Sequence, residues 1–174
     1  MPLTIPLPAG AKVIINGAVI QNSGYANISL TVHNKANILR DKDVLTQDEA
    51  NTPAKEIYYA IQNAYLFEAN RGEWENIAYA VLDRHLAAVP ESVEIIKHIR
   101  DLMQENKLYN ALRASRRLIA LEAGESLEAV SHPNWSPADS RAAWSGARGD
   151  DEISRLRGKV AALERRLSAI DPNA

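Results

Sequence analysis

The side chains of clearest chemical promise in this sequence are cations spaced for anion binding. In "LYNALRASRRLIALE" the residues Tyr109, Arg113, Arg116 and Arg117 recur three and four positions apart, so on a helix they share one face. Arginine forks on such a face match phosphate oxygens, and a ring beside them gives an unpaired base a surface to stack on. A second set lies in residues 1–45, where the four bases Lys12, Lys35, Arg40 and Lys42 outnumber the two acids Asp41 and Asp43. That is a local excess of positive charge in a chain whose formal charge is −2. Either set also fits an ordinary solvated surface, so neither is diagnostic alone.

Other chemistries are poorly represented. His33, His85, His98 and His132 are spread over a strand, two helices and a linker, and no serine or aspartate neighbourhood suggests a triad. Glu94, His98 and Asp101 share one helix face that could hold a hard metal, but a solvated charged face explains them more simply. The sequence contains no glycine-rich dinucleotide loop, no Walker loop and no HExxH. We therefore expect no enzyme, no metal and no cofactor. Without cysteine there are no disulfides or thiolate sites, which suits a reducing cytosol. "MPLTIPLPAG" lacks the charged start and continuous apolar run of a signal peptide, and nowhere are there about 18 consecutive apolar residues. A cytoplasmic, membrane-free protein is expected, and the sequons at Asn27 and Asn134 are then chance matches.

These side chains must be positioned by two kinds of element. Residues 1–45 read as a small antiparallel β subdomain. Leu3, Ile5 and Leu7 alternate along one strand, and Asn16-Gly17 between apolar triplets is a strong hairpin signal because both residues tolerate positive φ. "NISLTVH" sets Ile28, Leu30 and Val32 on a face opposite its polar residues, and "NKAN" turns the chain into Ile38-Leu39-Arg40. Residues 46–124 read as a helical bundle. The stripes are Ile57, Tyr58, Ile61, Ala64 and Tyr65, then Trp74, Ile77, Ala78, Val81, Leu82 and His85, then Ile95, Ile96, Ile99, Leu102 and Met103, and last Leu108, Leu112, Leu118 and Ile119, with Gly124 as the stop. Between sheet and bundle two helix starts stand six residues apart. Thr46 with Glu49 has capping-box spacing, and Thr52 precedes Pro53, so the first start can support only a single turn.

Residues 125–150 read as a linker that carries Trp135 and Trp144, and residues 151–174 change character again. Ile153, Leu156, Val160, Leu163, Leu167 and Ile170 are spaced 3, 4, 3, 4, 3, an a/d heptad seam. In a parallel pair the g and following e positions are all opposite in sign: Glu152 with Arg157, Lys159 with Glu164, Arg166 with Asp171. A short coiled coil and a homodimer through this helix are the expectation; an amphipathic helix folded back on its own domain is the alternative. The fold class expected is thus α+β: a small N-terminal antiparallel sheet packed with a helical bundle, plus a C-terminal heptad helix.

The stretch "ILRDKDVLTQDEANTPAKEIYYAIQNAYL" closely resembles the FlbT family of flagellum-biosynthesis regulators. "LPAG", the "VIINGAVIQN" hairpin and "LYNALRASRRLIALE" share in the resemblance, which covers about residues 1–124. It implies a post-transcriptional regulator that recognises the 5′ untranslated leader of flagellin mRNA and limits flagellin synthesis together with the small protein FlaF. Some members look more like activators. Among the matched positions, Lys12, Asn16, Arg40, Lys42, Arg116 and Arg117 are RNA-binding candidates from charge and placement only. Where many members carry arginines after the hairpin and its following turn, this chain has Tyr25-Ala26-Asn27. The competing expectation is a flagellin- or FlaF-binding adaptor that affects translation indirectly, and a third is a dimeric assembly factor acting through its coiled coil.

Overall fold

The computed structural model describes residues 2–125. The linker tryptophans and the heptad seam from Ile153 to Ile170 lie outside them. The described chain is α+β, as expected, but its strands form two antiparallel sheets rather than one. β1 (Leu3–Leu7) pairs with β4 (Ile28–Val32), with Ile5 opposite Leu30. β2 (Lys12–Ile15) is the centre of the second sheet, between β3 (Ala18–Gln21) and β5 (Ile38–Arg40).

Asn22 lies where the two sheets meet. Its buried side-chain amide donates to the carbonyls of Leu7 (2.9 Å) and Ala26 (2.8 Å), peeling the chain off the hairpin and returning it toward β1. The β1–β4 pair is only partly covered: Ile5 and Leu7 are buried, whereas Leu3 and Ile28 remain exposed. The hairpin itself forms as its sequence requires, with Asn16 at φ 49° and Gly17 at φ 81°. Gly17 is needed twice over, because a Cβ there would lie 2.8 Å from the Phe67 ring.

The double helix start is a junction. The Thr46 N–H and hydroxyl both donate to the Glu49 carboxylate at 2.7 Å, closing one turn, and Ala50 N–H returns to Thr46 O. Thr52 then caps the next element by accepting from Lys55 N–H, and Pro53 opens α1 (Pro53–Leu66). α2 (Arg71–Ala88), α3 (Val93–Gln104) and α4 (Leu108–Ala123) follow, and α4 stops at Gly124 with φ 68°.

α1 is the central helix of this array. It packs against both α2 and α4, and ten of its residues are buried, including Gln62 and Asn63. The Asn63 amide is satisfied by Tyr59 O within the helix (2.8 Å), and Tyr59 meets Trp74 of α2 edge-on at 5.8 Å. Surface pairs Glu56–Arg84 and Asp83–Arg100 link α1 to α2 and α2 to α3.

Candidate functional site: a cationic cleft and the face beside it

Three polar side chains of α1 fasten the bundle to the chain between Ile38 and Leu45. The Tyr65 hydroxyl accepts from Ile38 N–H (2.9 Å) and donates to Ile38 O (3.3 Å). Gln62 treats Leu45 the same way, its Oε1 accepting from the N–H at 2.8 Å and its amide donating to the carbonyl at 2.9 Å. Tyr58 donates to Asp43 O at 2.7 Å. Such contacts satisfy backbone groups that would otherwise be buried without partners.

α4 is tied to the same segment. Tyr109 near its start touches the Tyr65 ring, with centroids 5.7 Å apart, and Arg116 two turns later pairs with Asp43 at 2.6 Å across 73 residues of chain. The side chains of Arg116 and Asp43 are only 14% and 10% exposed. α4 therefore runs alongside residues 38–43. Arg116 of one basic set thus meets the segment that carries Arg40 and Lys42 of the other.

Their members divide into two groups. Lys12 is 6% exposed, close enough to Asp41 that its ammonium lowers the carboxyl's pKa, against burial, which raises it more. Arg116 is committed to Asp43. Arg116 ties α4 to the short 3₁₀ turn Asp41–Asp43, Lys12 is buried near the same turn, and neither cation is presented outward. Arg40, Lys42, Arg113 and Arg117 are exposed, and Tyr109 is 42% exposed. Glu94, His98 and Asp101 stand exposed on α3, and the described residues contain no His/Asp/Glu group arranged to hold a metal ion. Tyr25, in the departure from the family pattern, is fully exposed.

Asn16, Lys35 and Tyr109 come together with residues that sequence reasoning missed. They line a cleft of about 410 Å³ between the hairpin tip, the 35–37 loop, Tyr65 at the end of α1, Arg71 at the start of α2, and residues 106–110. Asn16 shapes one wall: its Oδ1 accepts from Asn37 N–H and its own N–H donates to Asn37 O, both at 2.8 Å. Asn106 shapes another, turning the chain from α3 into α4 at φ 56°. A signal for this cleft was present, since Asn34-Lys35 and Asn106-Lys107 repeat one polar-cationic pair in two loops. Nothing in the sequence said that the loops meet.

The fold and its cleft define a small α+β protein with a polar, net-cationic recess and exposed arginines beside it. The chain belongs to the FlbT family: the family model described as flagellar protein FlbT matches residues 3–125. It is 38% identical over 128 residues to the probable flagellum biosynthesis repressor protein FlbT of Caulobacter sp. (strain K31), covering 70% of this chain and 94% of that one. It is 34% identical over 128 residues to the flagellum biosynthesis repressor protein FlbT of Caulobacter vibrioides (strain ATCC 19089 / CIP 103742 / CB 15), covering 70% and 87%. With the probable flagellum biosynthesis repressor protein FlbT 1 of Bradyrhizobium diazoefficiens, identity is 34% over 125 residues, covering 70% and 83%. No solved structure matches. Among the described residues no helix is long and apolar enough to cross a membrane.

Proposed function

We propose that this protein is a regulatory repressor of flagellum biosynthesis that lowers flagellin synthesis by engaging the 5′ untranslated leader of flagellin mRNA. The observation that carries the repressor role is the match of residues 3–125 to the FlbT family, whose similar members are named repressors. RNA as the target is supported by the exposed Tyr109, Arg113 and Arg117 on α4, with Arg40 and Lys42 on the segment alongside. Arginines there supply phosphate contacts, and the ring supplies stacking for unpaired bases. The role needs no catalysis. A homodimer through the 151–174 heptads would double each weak patch on one scaffold and raise apparent affinity where geometry permits.

A second reading is favoured by Leu3 and Ile28, which stand 54% and 43% exposed at the ends of the β1–β4 pair. On that reading the protein is an adaptor that grips flagellin or a FlaF-like protein through apolar surface, and repression is indirect. Salt separates the two. Binding of the purified chain to its own flagellin leader is titrated with salt, against an unrelated leader, without and then with the FlaF-like protein. Leader-specific binding that weakens steeply as salt rises supports direct recognition. Absence of binding in both conditions sinks it and turns attention to flagellin and the FlaF-like protein.

A further inference from the structure

We infer that the cleft between the hairpin tip and the start of α4 is a nucleotide-binding site, in which Tyr109 stacks on the base and Lys35, Arg71 and Lys107 hold the phosphate. Its volume of about 410 Å³ falls in the range of roughly 300–1,000 Å³ usual for small-ligand sites.

The charge balance selects an anion. Three cations and one acid, Glu68, line the cleft, and with Glu105 paired to Lys107 at its edge the balance is still positive. Lys35 is exposed and has no ion pair among the described residues. Arg71 is under-used where it stands: Glu68 is 3.9 Å away, Asn106 Oδ1 is 3.4 Å away, and its enclosed Nε has no partner among the described residues. Because both contacts are long and the side chain is 26% exposed, its terminal N–H groups can turn to an oxygen-rich ligand in the recess. Lys107 is held at the rim by Glu105 at 2.6 Å. The first turn of α4 opens onto the same space with no capping side chain and no acidic residue, which adds to the positive potential without making a site by itself.

A simple phosphate would leave the rest of the lining unexplained. Tyr65 and Tyr109 form a tilted ring pair in the wall, and Tyr65 is fixed by both of its bonds to Ile38, so Tyr109 stands on a rigid support. The exposed Asn110 beside it carries both a donor and an acceptor, the equipment for reading a base edge. Ring, amide and cations within one recess match base and phosphate together. That the nucleotide belongs to an RNA strand rests on the function proposed above; a free mononucleotide would present the same chemistry.

The test uses the full chain, with two measurements made side by side. One is the affinity for labelled flagellin-leader RNA of the wild type, Tyr109→Ala, Tyr109→Phe and Lys35→Ala. The other is an amide-shift titration of the wild type with uridine or adenosine monophosphate, and with inorganic phosphate. Stacking on Tyr109 predicts a loss of about tenfold or more in Tyr109→Ala and near wild-type binding in Tyr109→Phe. Lys35→Ala should weaken binding several-fold with an unchanged melting temperature. Mononucleotide should move the amides of Lys35, Arg71 and Tyr109 at lower concentration than phosphate does. Either the rescued loss or these shifts upholds the site. Shifts in a chain that does not bind the leader uphold it while overturning the RNA reading. If Tyr109→Ala binds the leader as the wild type does and mononucleotide moves nothing in the cleft beyond what phosphate moves, the site is overturned and the RNA reading stands on α4 alone.

Discussion

Two neighbouring arginines on α4 show how far side-chain type falls short of role. Arg113 is exposed, while Arg116, three positions on, reaches Asp43 in a nearly closed setting. Replacing Arg116 by alanine leaves the Asp43 carboxylate enclosed and unpaired, and should cost about 3 kcal/mol or more in a urea melt. Arg113→Ala should stay within about 0.5 kcal/mol. Equal effects from the two would mean that the Arg116–Asp43 pair adds nothing to stability. His85 offers a second test. It is 2% exposed, and neither ring nitrogen has a partner among the described residues. Burial lowers its pKa below the ordinary 6.5, against the opposing pull of Glu122. The folded state therefore keeps the ring neutral while the unfolded chain takes up a proton as pH falls through 6.5. The stability this residue contributes is complete above that pH and declines below it. Thermal melts from pH 8 to 5 should show that decline, and His85→Leu should flatten it; an unchanged slope in the variant would exclude His85 as its source. The apolar stripe containing His85 was legible in the sequence, but its lack of partners was not, because partners come from other elements.

At the scale of elements, local rules were sufficient wherever the controlling atoms lie within a few residues. The Asn16-Gly17 turn, the single turn at Thr46, the Thr52 cap with Pro53, and the Gly124 stop all formed where their residue types direct. They failed where the partner is distant. β1 and β4 form a pair of their own, joined to the hairpin through Asn22 and Leu7, and α1 packs between α2 and α4 while its Gln62 and Tyr65 bond backbone groups of another segment. The junction gives a direct prediction. Pro53→Gly releases φ at the first helical position, and Thr52→Ala removes the acceptor for Lys55 N–H, which should cost about 1 kcal/mol. Lower melting temperatures and faster amide exchange across residues 44–58 are the expected result. Wild-type protection in both variants would show that sheet-to-bundle packing, not the cap, sets the start of α1.

For the whole molecule, the consequence is an exposed cationic margin on α4. The ties Tyr65–Tyr109 and Asp43–Arg116 link the helix to β5 and its following turn, and Arg113 and Arg117 are exposed on α4 as Arg40 and Lys42 are on that segment. If this margin contacts phosphates, Arg113→Ala with Arg117→Ala should weaken binding to any RNA rather than to one leader. It should also reduce the slope of log affinity against log salt by about 1–2. Binding isotherms at four salt concentrations measure this, and an unchanged slope would remove the α4 arginines from the interface. Tyr109→Ala should differ in kind, reducing affinity with little change of slope, because stacking releases no counterions.

The sequence alone determined the family, the α+β class, the hairpin, the four helices and the residue types available for gripping an anion. These follow from motif order, from periods of two and 3.6, and from turn chemistry, all of which act over a few residues. Tertiary structure decided which cations remain available. It buried Lys12, paired Arg116 with Asp43, and gathered Lys35, Arg71 and Lys107 around one recess with Tyr109. A charge's role depends on the distance to its counter-charge and on the water it keeps, and both are set by packing between segments that the chain separates by dozens of residues.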